Sequence, residues 1–315
     1  MGAYVVRRLL QGIPLIFGIT FVCFMMLYFA PGDAAEFAIS SRASELEIQR
    51  VRESLGLDLP WYQQYGKLLG QWVQLDFGDS WIQKRPVTEI IINRAPRTMI
   101  LLGLSIVFSL LIAIPIGILA AVKQYSWVDN VVTVVAFVGI SIPSFWLAIM
   151  LILAFSIQLG WLPTGGTGTI GQDFTLIDGL KHLAMPLAVL TLIRTASWMR
   201  YLRSSMLEVL RQDYIRTAYA KGLKARVVLL RHALRNALTP IITLLGLSLP
   251  DIFAGAIITE QIFNWQGLGQ LAVSSALRRD TPVVMALVIL TGIAIVVGNL
   301  LADLCYRLVD PRIRL

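Results

Sequence analysis

The sequence predicts an all-α integral membrane protein with six transmembrane helices and both termini cytoplasmic. Three observations carry that prediction. Of the 315 residues, 57% are hydrophobic and 15% charged, with a mean hydropathy of +0.72, too few polar side chains to coat a water-soluble globule. Segments 9–30, 98–122 and 281–302 run 22 to 25 residues without a charge, and about 20 residues cross a bilayer. Lysine and arginine then sort by side. With the N-terminus inside, the cytoplasmic segments hold fifteen of them, while the short outer loops hold only Lys181, Arg278 and Arg279.

Taken in order, the first span follows Arg7 and Arg8 and precedes Ala34 and Ala35, as a secretory signal would. Its 22-residue length favours a retained anchor. Residues 31–97 form the one loop long enough to fold outside the bilayer, with eight basic and nine acidic side chains. Two short helices are expected there. Ser44 with Glu47 makes a capping-box pattern ahead of Ile48, Val51 and Leu55, and Gly56 ends the run. The second helix, 61–73, sets Tyr65, Leu68, Leu69 and Trp72 at helical spacing, as a cap lying on the outer leaflet would.

The charge-free stretch 130–163 is too long for one crossing. A single span is therefore placed near 131–157, with a turn-rich tail at 160–171. Segments 182–199 and 237–258 complete the six, although the first contains Arg194 and the second Asp251. Prolines 14, 115, 143, 186, 240 and 250 fall in spans one to five and permit kinks in a bundle that moves.

Ionisable groups in lipid cost roughly 2.5 to 3.5 kcal/mol each on insertion scales, so they need a partner or a wet cavity. Arg194, Asp251 and Glu260 are the candidates for a translocation pathway, with Asp303 nearer the inner face. A structural Arg194–Asp251 ion pair is the competing reading. Cys23 and Cys305 have no spacing partner and read as core. His182 and His232 lie on opposite sides of the membrane in this topology and form no metal or nucleophile constellation.

The segment 200–236 is far longer than a connection needs and carries nine basic residues against Glu208 and Asp213. Gly222 separates two helical stretches within it. A short helix along the membrane surface would present Ile215, Tyr219 and Leu223 to a groove on a soluble protein. A basic loop that only fixes topology or touches anionic lipid is the alternative.

The order Asp213-Tyr214-Ile215-Arg216-Thr217-Ala218-Tyr219-Ala220-Lys221-Gly222-Leu223 resembles the cytoplasmic coupling loop of binding-protein-dependent ABC importer permeases, in the dipeptide, oligopeptide and nickel branch. Further blocks agree in order along nearly the whole chain. They include Arg7-Arg8-Leu9, Pro31-Gly32-Asp33, Leu55-Gly56-Leu57-Asp58, Gln64-Tyr65 and 204–210. Thr259-Glu260 with Ile262-Phe263, Trp265 and Gly267-Leu268-Gly269 follows, and then Asp310-Pro311-Arg312-Ile313-Arg314. Two departures are visible: Arg216-Thr217-Ala218 replaces the general Glu-Ala-Ala, and Gln266 stands where the branch usually has proline.

The resemblance implies a type I importer permease fold, with an anchor at 1–30, an outer loop at 31–96, a five-helix core at 97–305 and a cytoplasmic tail at 306–315. It implies a second homologous permease subunit, two ABC ATPase subunits that bind ATP and Mg, an extracytoplasmic substrate-binding protein and surrounding lipid, with no nucleic acid. ATPase coupling would fall on Asp213, Tyr214, Ile215, Thr217, Ala218, Tyr219, Lys221, Gly222 and Leu223. No Gly-x-x-x-x-Gly-Lys-Ser/Thr phosphate loop occurs in the chain, so the motor and its cofactors belong to another polypeptide and the chain is no enzyme. Peptide is the expected substrate, with glutathione or nickel chelates as alternatives on the same machinery. An ion-coupled secondary transporter is the reading from another class, for which Asp251 is the one midplane carboxylate.

Overall fold

The computed structural model describes residues 2–32, 34–35, 44–173, 175–248 and 256–309, without the side chains of 2–5, 302 and 304–309. Asp33, Asp251, Pro250, the Cys305 side chain and the tail from Asp310 lie outside it. Helix α1 (Gly2–Phe29) crosses first. The segment predicted as the outer loop then forms α2 (Glu45–Leu55) and α3 (Trp61–Val73). At α2 the Ser44 hydroxyl accepts from the Glu47 amide while the Glu47 carboxylate accepts from the Ser44 amide, and Gly56 closes the helix at φ 72°. The capping box therefore sets the helix the sequence predicts.

Tyr65 joins α3 to α1. It is 5% exposed, its hydroxyl lies 2.9 Å from Thr20 Oγ1, and its ring meets Phe17, Phe21 and Phe24. Leu68, Leu69 and Trp72 pack into the same cluster, so the helical face read from the sequence is buried against the first span.

Two long helices form the centre. Helix α4 (Val87–Val122) has 36 residues and α7 (Leu176–Leu210) has 35, each about 52 to 54 Å long against a hydrocarbon core of about 30 Å. Both outrun the membrane. Helix α4 thus begins within the segment assigned to the outer loop, and α7 absorbs the start of the segment assigned to the cytoplasmic loop. Their close approach rests on small side chains. Ser105, Ser109, Ala113 and Gly117 repeat every four residues along one buried face of α4. A Cβ on Gly117 would sit 3.1 Å from Leu202 and 3.2 Å from the Met199 carbonyl.

Between them the chain forms α5 (Trp127–Ser141) and α6 (Ser144–Leu151), the latter continuing as a π-helical stretch, Ile152–Gln158. These arms meet at 97°, so the segment expected to cross near 131–157 is bent at its middle rather than straight. Pro143 explains the bend: it offers no amide, and it drives Ile142 to an extended φ −75°, ψ 122°.

After α7 come α8 (Asp213–Ala220) and α9 (Ala225–Val227), which runs through a π-helical turn, Val228–Ala233, into Leu234–Ala237. Helix α10 (Thr239–Ser248) begins the fifth predicted span, whose middle lies outside the described residues. Helices α11 (Ile257–Ile262) and α12 (Leu268–Leu277) precede the last span, α13 (Thr281–Val309). Among the described residues, four helices are long and apolar enough to cross a bilayer, or five spans if the bent pair is taken as one. Helix α13 lies along α1, where a Cβ on Gly12 would come within 2.7 Å of Val296.

Two buried carboxylates pin the outer loops. Glu260 is wholly buried. Its Oε1 accepts from Thr98 Oγ1 at 2.8 Å and its Oε2 from the Gln270 amide at 3.0 Å, while Thr98 in turn accepts from the Leu268 amide at 2.8 Å. Asp280, 1% exposed, accepts from the Ser80 hydroxyl and from the Trp81 amide at 2.9 Å. Burial raises the Asp280 pKa, and the hydrogen bonds only partly offset that.

A Cβ at Gly267 would lie 2.3 Å from Thr98 Oγ1 and 2.5 Å from Glu260 Oε2. Gly267→Ala is therefore expected to destabilise the chain by about 1 to 3 kcal/mol, as overpacking does, read as a lower thermal midpoint in detergent. For Asp280 the sign follows from the raised pKa. Its contribution is full below the ordinary aspartate value of about 3.9 and is lost as pH rises through the folded value. Asp280→Asn should flatten the pH dependence of the midpoint across the mildly acid range, and an unchanged slope would contradict this.

Candidate functional site

The site of interest is the surface built by α8, within the segment that the sequence predicts to be cytoplasmic. Its first turn starts after Gln212, whose backbone is extended, with Asp213 favourable at the positive end of the helix. Spacing then divides its faces. Ile215 and Ala218, three residues apart, are 1% and 5% exposed and join Met199, Leu202, Met206, Val228, Ala233 and Ala237 in one core cluster. Tyr214, Tyr219 and Leu223 are 42%, 45% and 38% exposed. The expectation that Ile215 faces outward with Tyr219 and Leu223 is thus corrected. Ile215 is the anchor that holds α8 to α7 and to the π-helical turn after α9.

Lys221 caps the helix. Gly222 follows at φ 74°, with its amide on the Tyr219 carbonyl at 2.9 Å, and nothing lies within 4 Å of where its Cβ would be. The glycine is required by backbone conformation rather than by space. On the other side of the turn, Asn236 Nδ2 donates to Tyr214 Oη at 2.8 Å, tying α8 to the helix beyond the π-turn. Asp213 and Arg216 make an exposed pair at 3.4 Å, and Thr217 Oγ1 donates to the Asp213 carbonyl at 3.0 Å. Exposed Val227 and Leu230 extend the apolar strip of Tyr219 and Leu223. Arg216, Lys221, Lys224, Arg226 and Arg231 lie exposed on the same stretch of chain. Exposed aromatic and apolar side chains among cations have the composition that protein-docking surfaces favour.

Beside it, Arg203 of α7 grips Asp129 at the start of α5 with two bonds, Nε to Oδ1 at 2.5 Å and Nη2 to Oδ2 at 2.7 Å. The Tyr125 amide adds a third at 3.0 Å. The sequence reading missed this pair. Ser126 capping the Asp129 amide is the signal that could have found it.

The pathway candidates sit elsewhere. Arg194 Nη1 donates to Ser248 Oγ at 2.9 Å, across from α7 to α10. Glu260 is enclosed by Thr98 and the loop before α12, and Gln266, in the position usually held by proline, accepts from Arg97 Nη1 at 2.8 Å. Asp251 lies outside the described residues, and its pairing with Arg194 with it. Among the described residues no group of three His, Cys, Asp or Glu side chains converges on a metal position.

Comparison with known proteins agrees with this architecture. Residues 1–102 match the N-terminal region, and residues 113–315 the main region, of binding-protein-dependent transport system membrane components. The chain is 46% identical to the oligopeptide transport system permease protein AppB of Bacillus subtilis, covering 99% of both chains. It is 38% identical to the glutathione transport system permease protein GsiC of Escherichia coli K12, over 99% of this chain and 98% of that one. In structure it is similar to a chain of the MetNI methionine ABC transporter in an inward facing conformation, with a TM-score of 0.57 and 17% identity, covering 71% of this chain and 97% of that one. With over half of its length matched to one family and close relatives matched end to end, the chain belongs to the binding-protein-dependent transport system inner membrane components.

Proposed function

We propose that this inner-membrane chain is one of two homologous permease subunits of an ATP-driven importer of short peptides. The observation that carries the coupling role is the surface of α8, apolar and aromatic outward yet anchored inward by Ile215 and Ala218. Two separate ATPase subunits, binding ATP and Mg, dock on that surface, and an extracytoplasmic binding protein delivers substrate. The coupling residues are Asp213, Tyr214, Thr217, Tyr219, Lys221, Gly222 and Leu223, with Ile215 and Ala218 holding them in place. Both termini face the cytoplasm, residues 31–96 form the outer loop, and the five helices of 97–305 form the core.

Movement of the ATPases shifts α8, and because α8 shares a core with α7 it shifts that helix as a body. Helix α7 packs along α4, whose outer end holds Glu260 through Thr98. Force applied inside thereby reaches the outer loops through rigid elements. Glu260 serves as an organiser of that loop, and Arg194 and Asp251 remain the pathway side chains to test. The named relatives carry an oligopeptide and glutathione, itself a tripeptide, so peptide-like amides are the substrate class that both support.

In proteoliposomes containing the chain with its partner subunits and binding protein, ATP-dependent uptake of a labelled oligopeptide is expected, and uptake driven by an ion gradient without ATP would contradict the reading. Tyr219→Ala should remove an aromatic anchor worth about 2 kcal/mol and weaken ATPase association roughly thirtyfold in pull-down titration. Gly222→Val should cost about 1 to 2 kcal/mol in the left-handed conformation and uncouple ATP hydrolysis from uptake, while Gly222→Asn retains most activity. Equal uptake by Gly222→Val would sink the lever.

A further inference from the structure

The first turns of α4 carry two arginines that belong to neither the coupling surface nor the pathway candidates. Arg94 and Arg97 stand three residues apart, on one face of the helix and ahead of its charge-free run at 98–122. The loop 263–270 clasps them. Trp265 Nε1 donates to the Arg97 carbonyl at 3.1 Å, and Trp265 joins Leu101 of α4 and Leu183 of α7 in one buried cluster. The pair therefore sits beside the junction of the two central helices.

How the guanidiniums are held decides what they can still bind. Arg94 Nη1 donates to Gln270 Oε1 at 3.2 Å, and Arg97 Nη1 donates to Gln266 Oε1 at 2.8 Å and to the Gln266 carbonyl at 3.5 Å. A guanidinium has five N–H donors in a rigid fork. Both residues spend Nη1 on a neutral glutamine and, among the described residues, leave Nε and Nη2 without an acceptor. That edge is the one that meets a carboxylate through two parallel bonds. Each charge is oriented but not neutralised by its glutamine. The neighbouring acid is Glu260, which favours the Arg94 charge while Arg97 opposes it, and its oxygens already accept from Thr98 and the Gln270 amide. Glu260 thereby fixes the residue that aims Arg94.

Amide side chains complete the surface. Gln270 Nε2 donates to Asn264 Oδ1 at 2.6 Å, and both Asn264 and Gln266 are exposed. With their oxygens engaged, the amide nitrogens of Asn264 and Gln266 are the atoms left to donate to peptide carbonyls.

We propose that Arg94 and Arg97 form a receiving site for the C-terminal carboxylate of the peptide, with Asn264 and Gln266 donating to the carbonyls next to it. This rests on the importer reading and its orientation, which put the pair at the outward mouth, and it adds which part of the substrate the chain recognises. A carboxylate is common to linear peptides whatever their side chains, so one such site serves many of them.

The test uses the full chain with its partner subunits in nanodiscs, without the binding protein, and the arginine reagent phenylglyoxal, with modification of each residue read by mass spectrometry. Trialanine with a free carboxyl terminus should slow modification of Arg94 and Arg97 about tenfold at about ten times its Kd. Trialanine amide should protect at least about tenfold less well, because the charged bonds are lost. Arg85, exposed and paired with Glu89, should react alike in the presence of either peptide. Arg97→Gln should remove the protection of Arg94 and Arg97→Lys should restore part of it, with retained ATPase association as the sign of an assembled complex. Equal protection by the two peptides overturns the proposal, as does protection of Arg94 that survives Arg97→Gln or that extends to Arg85. It is overturned too if the peptide-free binding protein protects both arginines, since an acidic segment of that partner is then the occupant. ATP-dependent uptake by the reconstituted wild-type complex is read separately. Its absence overturns the importer reading, whereas uptake without carboxylate-specific protection overturns the receiving site alone.

Discussion

The close approach of α4 and α7 is the constraint on which the rest of the structure depends. In lipid, apolar side chains gain little by leaving one apolar surrounding for another, so helices associate through packing and backbone proximity. Ser105, Ser109, Ala113 and Gly117 provide that proximity, and Ser109 adds a hydrogen bond to the Thr191 carbonyl at 3.2 Å. Because both helices outrun the bilayer, one packed pair presents an end to each side of the membrane. The inner end of α7 carries the core that seats α8, and the outer end of α4 carries Thr98 and the Glu260 node.

Charge is used sparingly to lock this frame. The Arg203–Asp129 fork buries a carboxylate that is 1% exposed, and such a pair does not add stability merely by existing, since desolvation offsets much of the attraction. Its value is positional. Two parallel bonds and the Tyr125 amide fix how α5 leaves the 123–126 turn relative to α7. Glu260 does the same outside, where its carboxylate takes the amide of Gln270 in the first turn of α12 and the Thr98 hydroxyl of α4. In both places a buried acid organises a loop that hydrophobic packing, being non-directional, leaves underdetermined.

What was legible in the sequence follows from the range of the forces involved. The Ser44–Glu47 box and Gly56 act within a few residues, and both ends of α2 fall where those residues put them. The apolar face of α3 is periodic and so readable, and it meets α1 through Tyr65. Span lengths were legible only roughly, because hydropathy marks the lipid and not the helix: α4 starts eleven residues before its apolar run, passing through Pro96. Pro143 was seen as a kink, but its 97° size depends on where α5 and α6 pack. The orientation of Ile215 was misread because an amphipathic helix of eight residues shows apolar side chains on two faces. Only the neighbours on α7 and the π-helical turn decide which face is inside.

That correction separates two properties of the basic loop that its composition confounds. Exposed cations set the side of the membrane, yet each solvated pair or charge contributes little to a specific contact, as the exposed Asp213–Arg216 bridge at 3.4 Å illustrates. Desolvated aromatic and apolar side chains contribute more. With Ile215 withdrawn into the core, the exposed apolar side chains are Tyr219, Leu223, Val227 and Leu230, on either side of Gly222 in the chain. Their arrangement is consequently set by one left-handed residue at φ 74°, and Ile215 makes it rigid with α7. Recognition and transmission therefore fall on different residues of the same short helix, the one facing out and the other facing in.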